Sequence, residues 1–213
     1  MATAQRYGLA FGLGKKSKLD LNQAFNARIG AFSERFSEIL GAPVVINSDG
    51  LSGTLILNES TACFDVAVAL QEAAWPAPLQ HALVSAPPAG AAGQDEAIRE
   101  KAMKVLRKMK KYAVLRVDLP SKSEDEAAMA NSIADLHRTI VLNFTETRLA
   151  AVRSYRKYKR QANVAADMQV SQQAVSQMIL GARWRQLKAA EQTMRDWLKQ
   201  PQRTMLWPMK SRS

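Results

Sequence analysis

QANVAADMQVSQQAVSQM, residues Gln161–Met178, is the stretch on which the reading of this chain turns. Apolar residues fall at Val164, Met168, Val170, Val175 and Met178, with a small residue at Ala165. That spacing predicts two short helices meeting at a tight turn. Val164 and Met168 point inward on the first helix, and Ala165 is small because the second helix crosses close to it. Val170 plugs the turn, and Val175 and Met178 form the inner face of the second helix. Ser171 has a side-chain oxygen to cap that helix, read as 171–180, and Gly181 can end it. The glycine usual in such a turn is replaced by Gln169, which must then accept a costly backbone conformation.

Ser171, Gln172, Gln173, Ser176 and Gln177 are left facing outward, mostly at the amino-terminal end of the second helix. In a helix-turn-helix that end enters the major groove of duplex DNA. A glutamine amide can pair with an adenine edge through both of its functions, and serine is permissive. None of the outward residues is charged, so grip on phosphate is expected from the flanks. The candidates are Arg153, Arg156, Lys157, Lys159 and Arg160 before the motif, and Arg183, Arg185 and Lys188 after it.

The charge distribution points the same way. Of 30 Lys/Arg and 19 Asp/Glu, residues 151–213 hold 13 and three, a net of +10; the first 150 residues net only +1. An excess gathered in one part of a chain is expected where that part meets a polyanion.

Working outward, Trp184, Leu187, Ala190, Met194, Trp197 and Leu198 make the inner face of one more helix, its tryptophans serving packing. The tail, Pro201–Ser213, is basic, aperiodic, and still apolar at Met205, Leu206, Trp207 and Met209. Before the motif everything after Ser123 reads as helical, with Met129, Ile133, Leu136, Ile140 and Phe144 as one stripe. Earlier segments alternate in type. Tyr7–Leu13 is a strand. A helix from Asp20 or Leu21 carries Leu21, Phe25, Ile29, Phe32, Phe36 and Ile39 and can end at Gly41. Pro43–Asn47 and Gly53–Leu57 are a hairpin about SDGLS. A helix opens near Ser60 and ends before Pro76, and Leu79–Ser85 is a strand. Ala86–Gly93 is a loop; a helix from about Asp95 to Lys111 and a strand over Tyr112–Leu119 follow it. The order β-α-β-β-α-β, then α-β, is that of a ferredoxin-like α+β unit with one added helix and strand. The expected organisation is an α+β domain over 1–122, a connecting helix over 123–144, an all-α helix-turn-helix domain over 145–200, and a basic tail over 201–213.

Several chemistries are disfavoured. One cysteine, Cys63, and two histidines, His81 and His137, permit no disulfide within the chain and no thiolate metal cage. Cys63 is expected to be a small buried residue and both histidines to be structural. FGLGKKSK lacks the glycine spacing of a phosphate loop. No apolar run approaches a membrane span, and the first residues do not read as a secretory signal, so a cytoplasmic setting is expected.

The chain resembles the SatD-type proteins, which join a domain related to the nucleotide-cyclase fold to a carboxy-terminal helix-turn-helix. The resemblance spans about residues 7–199. It is carried by FTETR (Phe144–Arg148), VAADMQVSQQAVSQMILGARW (Val164–Trp184), the hairpin SDGLSG (Ser48–Gly53) and DEAIREKAMKVLRKMKKYAVLRVDLP (Asp95–Pro120). The family's first strand delivers an acidic residue beside a serine-arginine pair, whereas AFGLGKKSK (Ala10–Lys18) has no acid until Asp20. Cyclase-like chemistry needs carboxylates that hold divalent metals. Only Asp49 matches, at a hairpin tip where aspartate serves turn geometry. The resemblance therefore implies a fold for residues 1–120 rather than an activity.

The expectation is a sequence-specific protein that binds double-stranded DNA and regulates transcription. It would act without catalysis, metal or cofactor, as a homodimer, with the front domain used for dimerisation or for an unknown protein or small-molecule ligand. Two alternatives are an accessory protein of a mobile element or phage that holds another protein or RNA, and a nucleotide-sensing or nucleotide-processing enzyme.

Overall fold

The computed structural model describes residues 5–13, 19–40, 42–85 and 93–200, the side chains at 19–22, 24 and 35–40 excepted. The expectations for Gly41, most of the Ala86–Gly93 loop, the tail from Pro201, and the side chains of Leu21, Phe36 and Ile39 lie outside the described residues.

The chain is mixed α+β, with five strands in one sheet and eight helices among the described residues. In order these are β1 (Tyr7–Leu13), α1 (Leu19–Leu40), β2 (Val45–Ile46), β3 (Ser52–Leu57), α2 (Ser60–Ala74), β4 (Leu79–Ser85), α3 (Gln94–Arg107), β5 (Leu115–Asp118), α4 (Glu124–Leu142), α5 (Glu146–Tyr158), α6 (Gln161–Met168), α7 (Gln172–Gly181) and α8 (Trp184–Lys199). The sheet runs β2-β3-β1-β4-β5; β1 is antiparallel to both β3 and β4, while β4 and β5 are parallel.

Alternation along the strands splits the apolar residues between the two sheet faces. Leu9, Phe11, Leu55, Leu57, Leu79 and Leu83 pack with α1, α2, α4 and α8 on one face. Ala10, Ile56, Ala82 and Val84 meet Ile98, Ala102 and Leu106 of α3 on the other. That second contact is close: a Cβ on Gly8 would stand 2.5 Å from the Ile98 side chain, so α3 fits against β1 only because Gly8 has none.

At the β2-β3 turn, one carboxylate oxygen of Asp49 accepts the Leu51 and Ser52 backbone N–H groups at 2.8 and 3.1 Å, and Gly50 takes the left-handed backbone. The Ser52 hydroxyl also donates to this carboxylate. Asp49 is thus committed to its own turn. Among the described residues no group of three or more His, Cys, Asp and Glu side chains could hold a metal ion, and no helix is long and apolar enough to cross a membrane.

The strand expected over Tyr112–Leu119 is shorter than its apolar alternation suggests, because Tyr112 turns out to solvent before β5 begins. The stripe expected on α4 is corrected more deeply. Met129 and Leu136 are 67% and 68% exposed, while Ala130, His137 and Val141 are the buried residues of the helix. The helix is rotated by one residue because small Ala127, Ala130 and Ala134 fit closely against the sheet-face core and His137 has a buried partner on α8. Ser123 caps α4 in a reciprocal box with Glu126.

Candidate nucleic-acid interface

Helices α5, α6 and α7, with the start of α8, enclose a core of Leu149, Val152, Val164, Ala165, Val175, Ile179 and Leu187. Ser171 is the N-cap of α7, accepting the Ala174 N–H at 3.1 Å. Thr145 caps α5 in the same way through Arg148. A hydroxyl at this position satisfies one of the orphan donors of a helix start, worth about 1 kcal/mol. The Asp167 carboxylate accepts the Ser154 hydroxyl at 2.7 Å and the Tyr158 hydroxyl at 3.1 Å, so α6 is held to α5 by two side-chain bonds that also draw the Asp167 pKa down.

Two details of the motif differ from expectation. Val170 is 37% exposed: its backbone N–H closes the α6 turn onto Ala165, and its side chain does not fill the core. Gly181 is still helical. The left-handed residue that turns the chain is Arg183, with φ 52°. Gly181 instead accommodates Arg148, whose Nε would lie 3.1 Å from an added Cβ.

The α5-α6, α6-α7 and α7-α8 junctions each contain one non-glycine residue in the left-handed region: Lys159 (φ 59°), Gln169 (φ 55°) and Arg183 (φ 52°). Each costs about 1 kcal/mol relative to glycine at the same backbone angles. Gln169 is exposed and its side chain has no hydrogen-bond partner among the described residues. Gln169→Gly is therefore expected to raise the melting temperature by about 2–4 °C; a lower melting temperature would mean that unfolded-chain entropy outweighs the relief of strain.

Gln172, Gln173, Ser176 and Gln177 are all exposed on α7, opposite buried Val175 and Ile179. They lie together on one face, with Ser171 at its start. The predicted cations divide into two groups. Lys159, Arg160, Arg183, Arg185 and Lys188 are exposed and make no ion pair among the described residues. Lys157 is exposed and lies over the Tyr158 ring at 4.6 Å.

Arg153 and Arg156 have partners within the fold, Arg153 while remaining exposed. Arg153 donates to the backbone oxygen of Glu72. Arg156 donates to the Glu72 carboxylate through Nε at 3.0 Å and to Glu191 through Nη1 at 2.9 Å, and stacks over Trp184 at 4.9 Å. Glu191, on α8, is only 2% exposed and meets His137 Nε2 of α4 at 3.0 Å. Arg195 touches Glu191 at 3.4 Å and binds Asp65 of α2 at 2.7 Å. Burial alone would raise the Glu191 pKa, but bonds from Arg156 and His137 hold it down to about 2. For Arg156 burial works against the charge, and its two carboxylate partners more than restore it, raising its pKa.

This cluster joins α2, α4, α5 and α8 and was not anticipated. Its one sequence signal is Glu191 itself, which falls four residues after Leu187 and three before Met194, on the buried stripe of α8.

No family model and no curated protein sequence matches the chain. A solved structure, the regulator of polyketide synthase expression from Bifidobacterium adolescentis, aligns over 92% of this chain and 82% of its own, at 16% identity and a TM-score of 0.25. At that score the two folds do not superpose, and nothing is transferred from one to the other.

Proposed function

We propose that this protein binds double-stranded DNA in a sequence-specific manner and regulates transcription, placing α7 in the major groove. The observation that carries this reading is the α7 surface. An exposed face of amides and hydroxyls, free of charge, is flanked in sequence by five exposed cations that no acid of the described chain neutralises. Gln172, Gln173, Ser176 and Gln177, with Ser171 at the helix start, read bases; Lys159, Arg160, Arg183, Arg185 and Lys188 hold phosphate, with Lys157 beside them.

Lys159 and Arg183, both exposed, stand at the junctions before and after the motif. The remaining parts follow the SatD-type plan: a ferredoxin-like, cyclase-related unit over 1–122 that serves dimerisation or ligand sensing without catalysis, the connecting helix over 123–144, and the binding unit over 145–200. The protein acts as a homodimer in the cytoplasm, since one motif alone gives modest affinity.

The test is duplex binding by the full chain as a function of salt. Five phosphate contacts per subunit, ten in the dimer, predict a slope of log K on log salt of about −9. Gln173→Ala with Gln177→Ala is expected to lower affinity for a selected sequence by roughly 10- to 100-fold while leaving weak binding to random duplex intact. Lys159→Gly and Arg183→Gly are expected to raise thermal stability and, by removing one contact from each subunit, to flatten the salt slope by about 1.8 each. A flat salt dependence, or no retention of duplex at low salt, overturns the proposal. Retention of RNA or protein alone favours an accessory role, and thermal stabilisation by nucleoside triphosphate with magnesium favours a nucleotide-binding one.

A further inference from the structure

We infer that Leu180 is a base-reading residue, and that the group it reads is the 5-methyl of a thymine. The inference rests on the DNA-binding reading and deepens it. Leu180 is 71% exposed, the most exposed large hydrophobic residue among the described residues of the helical bundle. A lone surface leucine needs no explanation; the position of this one does. It follows Gln173 by seven residues and Gln177 by three, so at 3.6 residues per turn it lies within about 20° of Gln173 on the helix. The outward face of α7 is thus Gln173, Ser176, Gln177 and Leu180: three hydrogen-bonding groups and one branched alkyl group.

Leu180 is not a misplaced core residue. Val175 and Ile179 already fill the inner face, and Leu180 takes no part in the apolar clusters of the molecule. Leu180 lines a groove whose floor includes Ile179 and Trp184 and whose other side chains are Gln161, Ser176, Arg183, Arg185 and Gln186, a largely polar and basic setting. Major-groove base edges offer such a side chain one apolar partner, the thymine methyl; the edges of adenine, guanine and cytosine there are donors and acceptors. At 1.5 Å rise per residue Leu180 stands about 10 Å along the axis from Gln173. Base pairs repeat every 3.4 Å, so the thymine should fall within about three pairs of the base that Gln173 reads.

The experiment uses the full chain and its best duplex selected from a random pool. Each thymine is replaced singly by deoxyuridine, which removes only the methyl. At one position in each half-site, within about three pairs of the site sensitive to Gln173→Ala, affinity is expected to fall roughly fourfold, the effect of one buried methyl. Leu180→Ala, which removes the contact from both subunits, is expected to lose roughly the square of that factor on the thymine duplex and to show no further loss when deoxyuridine occupies that position in both half-sites, with an unchanged melting temperature because the side chain is exposed. Gln173→Ala should keep the deoxyuridine effect. If every deoxyuridine costs Leu180→Ala as much as the parent chain, or if Leu180→Ala changes oligomeric state and not sequence preference, the assignment of Leu180 fails while DNA binding stands. If no duplex is retained, both fail.

Discussion

Arg156→Ala is expected to cost the fold about 3–5 kcal/mol, the loss that follows when one partner of a buried ion pair is removed. The guanidinium lies between two carboxylates on different helices, Glu72 and Glu191, both buried. Removing it leaves two like charges in a dry site. Either they repel or one takes up a proton, and both outcomes weaken the fold. The loss should be seen as a lower urea midpoint with an unchanged slope. Arg156→Lys should recover only part of the stability, because an ammonium cannot serve both carboxylates with the planar fork. Substituting exposed Lys188 by alanine should change stability by less than about 0.5 kcal/mol. A loss below about 1 kcal/mol for Arg156→Ala would show that Glu72 and Glu191 are hydrated rather than dependent on it. The cluster has a consequence for the interface as well. Arg156 lies on α5, against which α6 and α7 pack, so its bonds to α2 and α8 tie the α5–α7 unit to those helices.

The second large effect is acid sensitivity. His81, on β4, is buried on the sheet face that meets α2, α4 and α8, and its Nε2 has no hydrogen-bond partner among the described residues. It borders a cavity of about 40 Å³ that also touches Gln71, His137 and Arg138. Burial, with the neighbouring Arg138 charge, pushes its pKa down to about 3. Between pH 6.5 and 3 the unfolded chain binds a proton here that the folded chain refuses. Stability is therefore full above about pH 6.5 and falls as the pH is lowered through that window, by about 3 kcal/mol at pH 4. Glu191 adds a second window. Its carboxylate stays ionised to about pH 2 when folded and is protonated near 4.5 when unfolded, so its contribution is lost as the pH falls from 4.5 toward 2. His81→Leu is expected to flatten the pH dependence between 6.5 and 3, and alone to do so above 4.5; Glu191→Gln is expected to flatten it further below 4.5 while lowering stability at neutral pH. Urea denaturation from about pH 7.5 to 3 reads both; an unaltered slope in His81→Leu would show that the imidazole is already protonated in the folded protein.

Much of the candidate site was legible before any coordinates. The inner positions Val164, Ala165 and Val175, the cap at Ser171, the strained turn at Gln169 and the outward glutamines all follow from local rules: helical period, capping chemistry and the size limit at a helix crossing. These interactions span a few residues, so their pattern is written along the chain. The same holds for the order of strands and helices. Ile179 completes the inner face and Leu180 the outer one by the same period, though the turn at Arg183, past a helical Gly181, departs from the usual glycine ending.

Counting cations could not show where each one points. Arg156 and Arg160 look alike in sequence, yet Arg156 turns inward to Glu72 while Arg160 makes no ion pair among the described residues. The partner that decides this lies 84 residues from Arg156 in the chain, and the His137–Glu191 contact spans 54. In the same way, α4 buries Ala130 and His137 rather than Met129 and Leu136 because a helix rotates to suit what it packs against, and those surfaces come from other elements. Sequence alone thus determined the elements, the caps and the polar face of α7, since each depends on neighbours within one or two turns. Only the tertiary structure decided which charges are buried in pairs and which remain for a partner, because a charge is neutralised by whatever folding brings within a few ångströms of it.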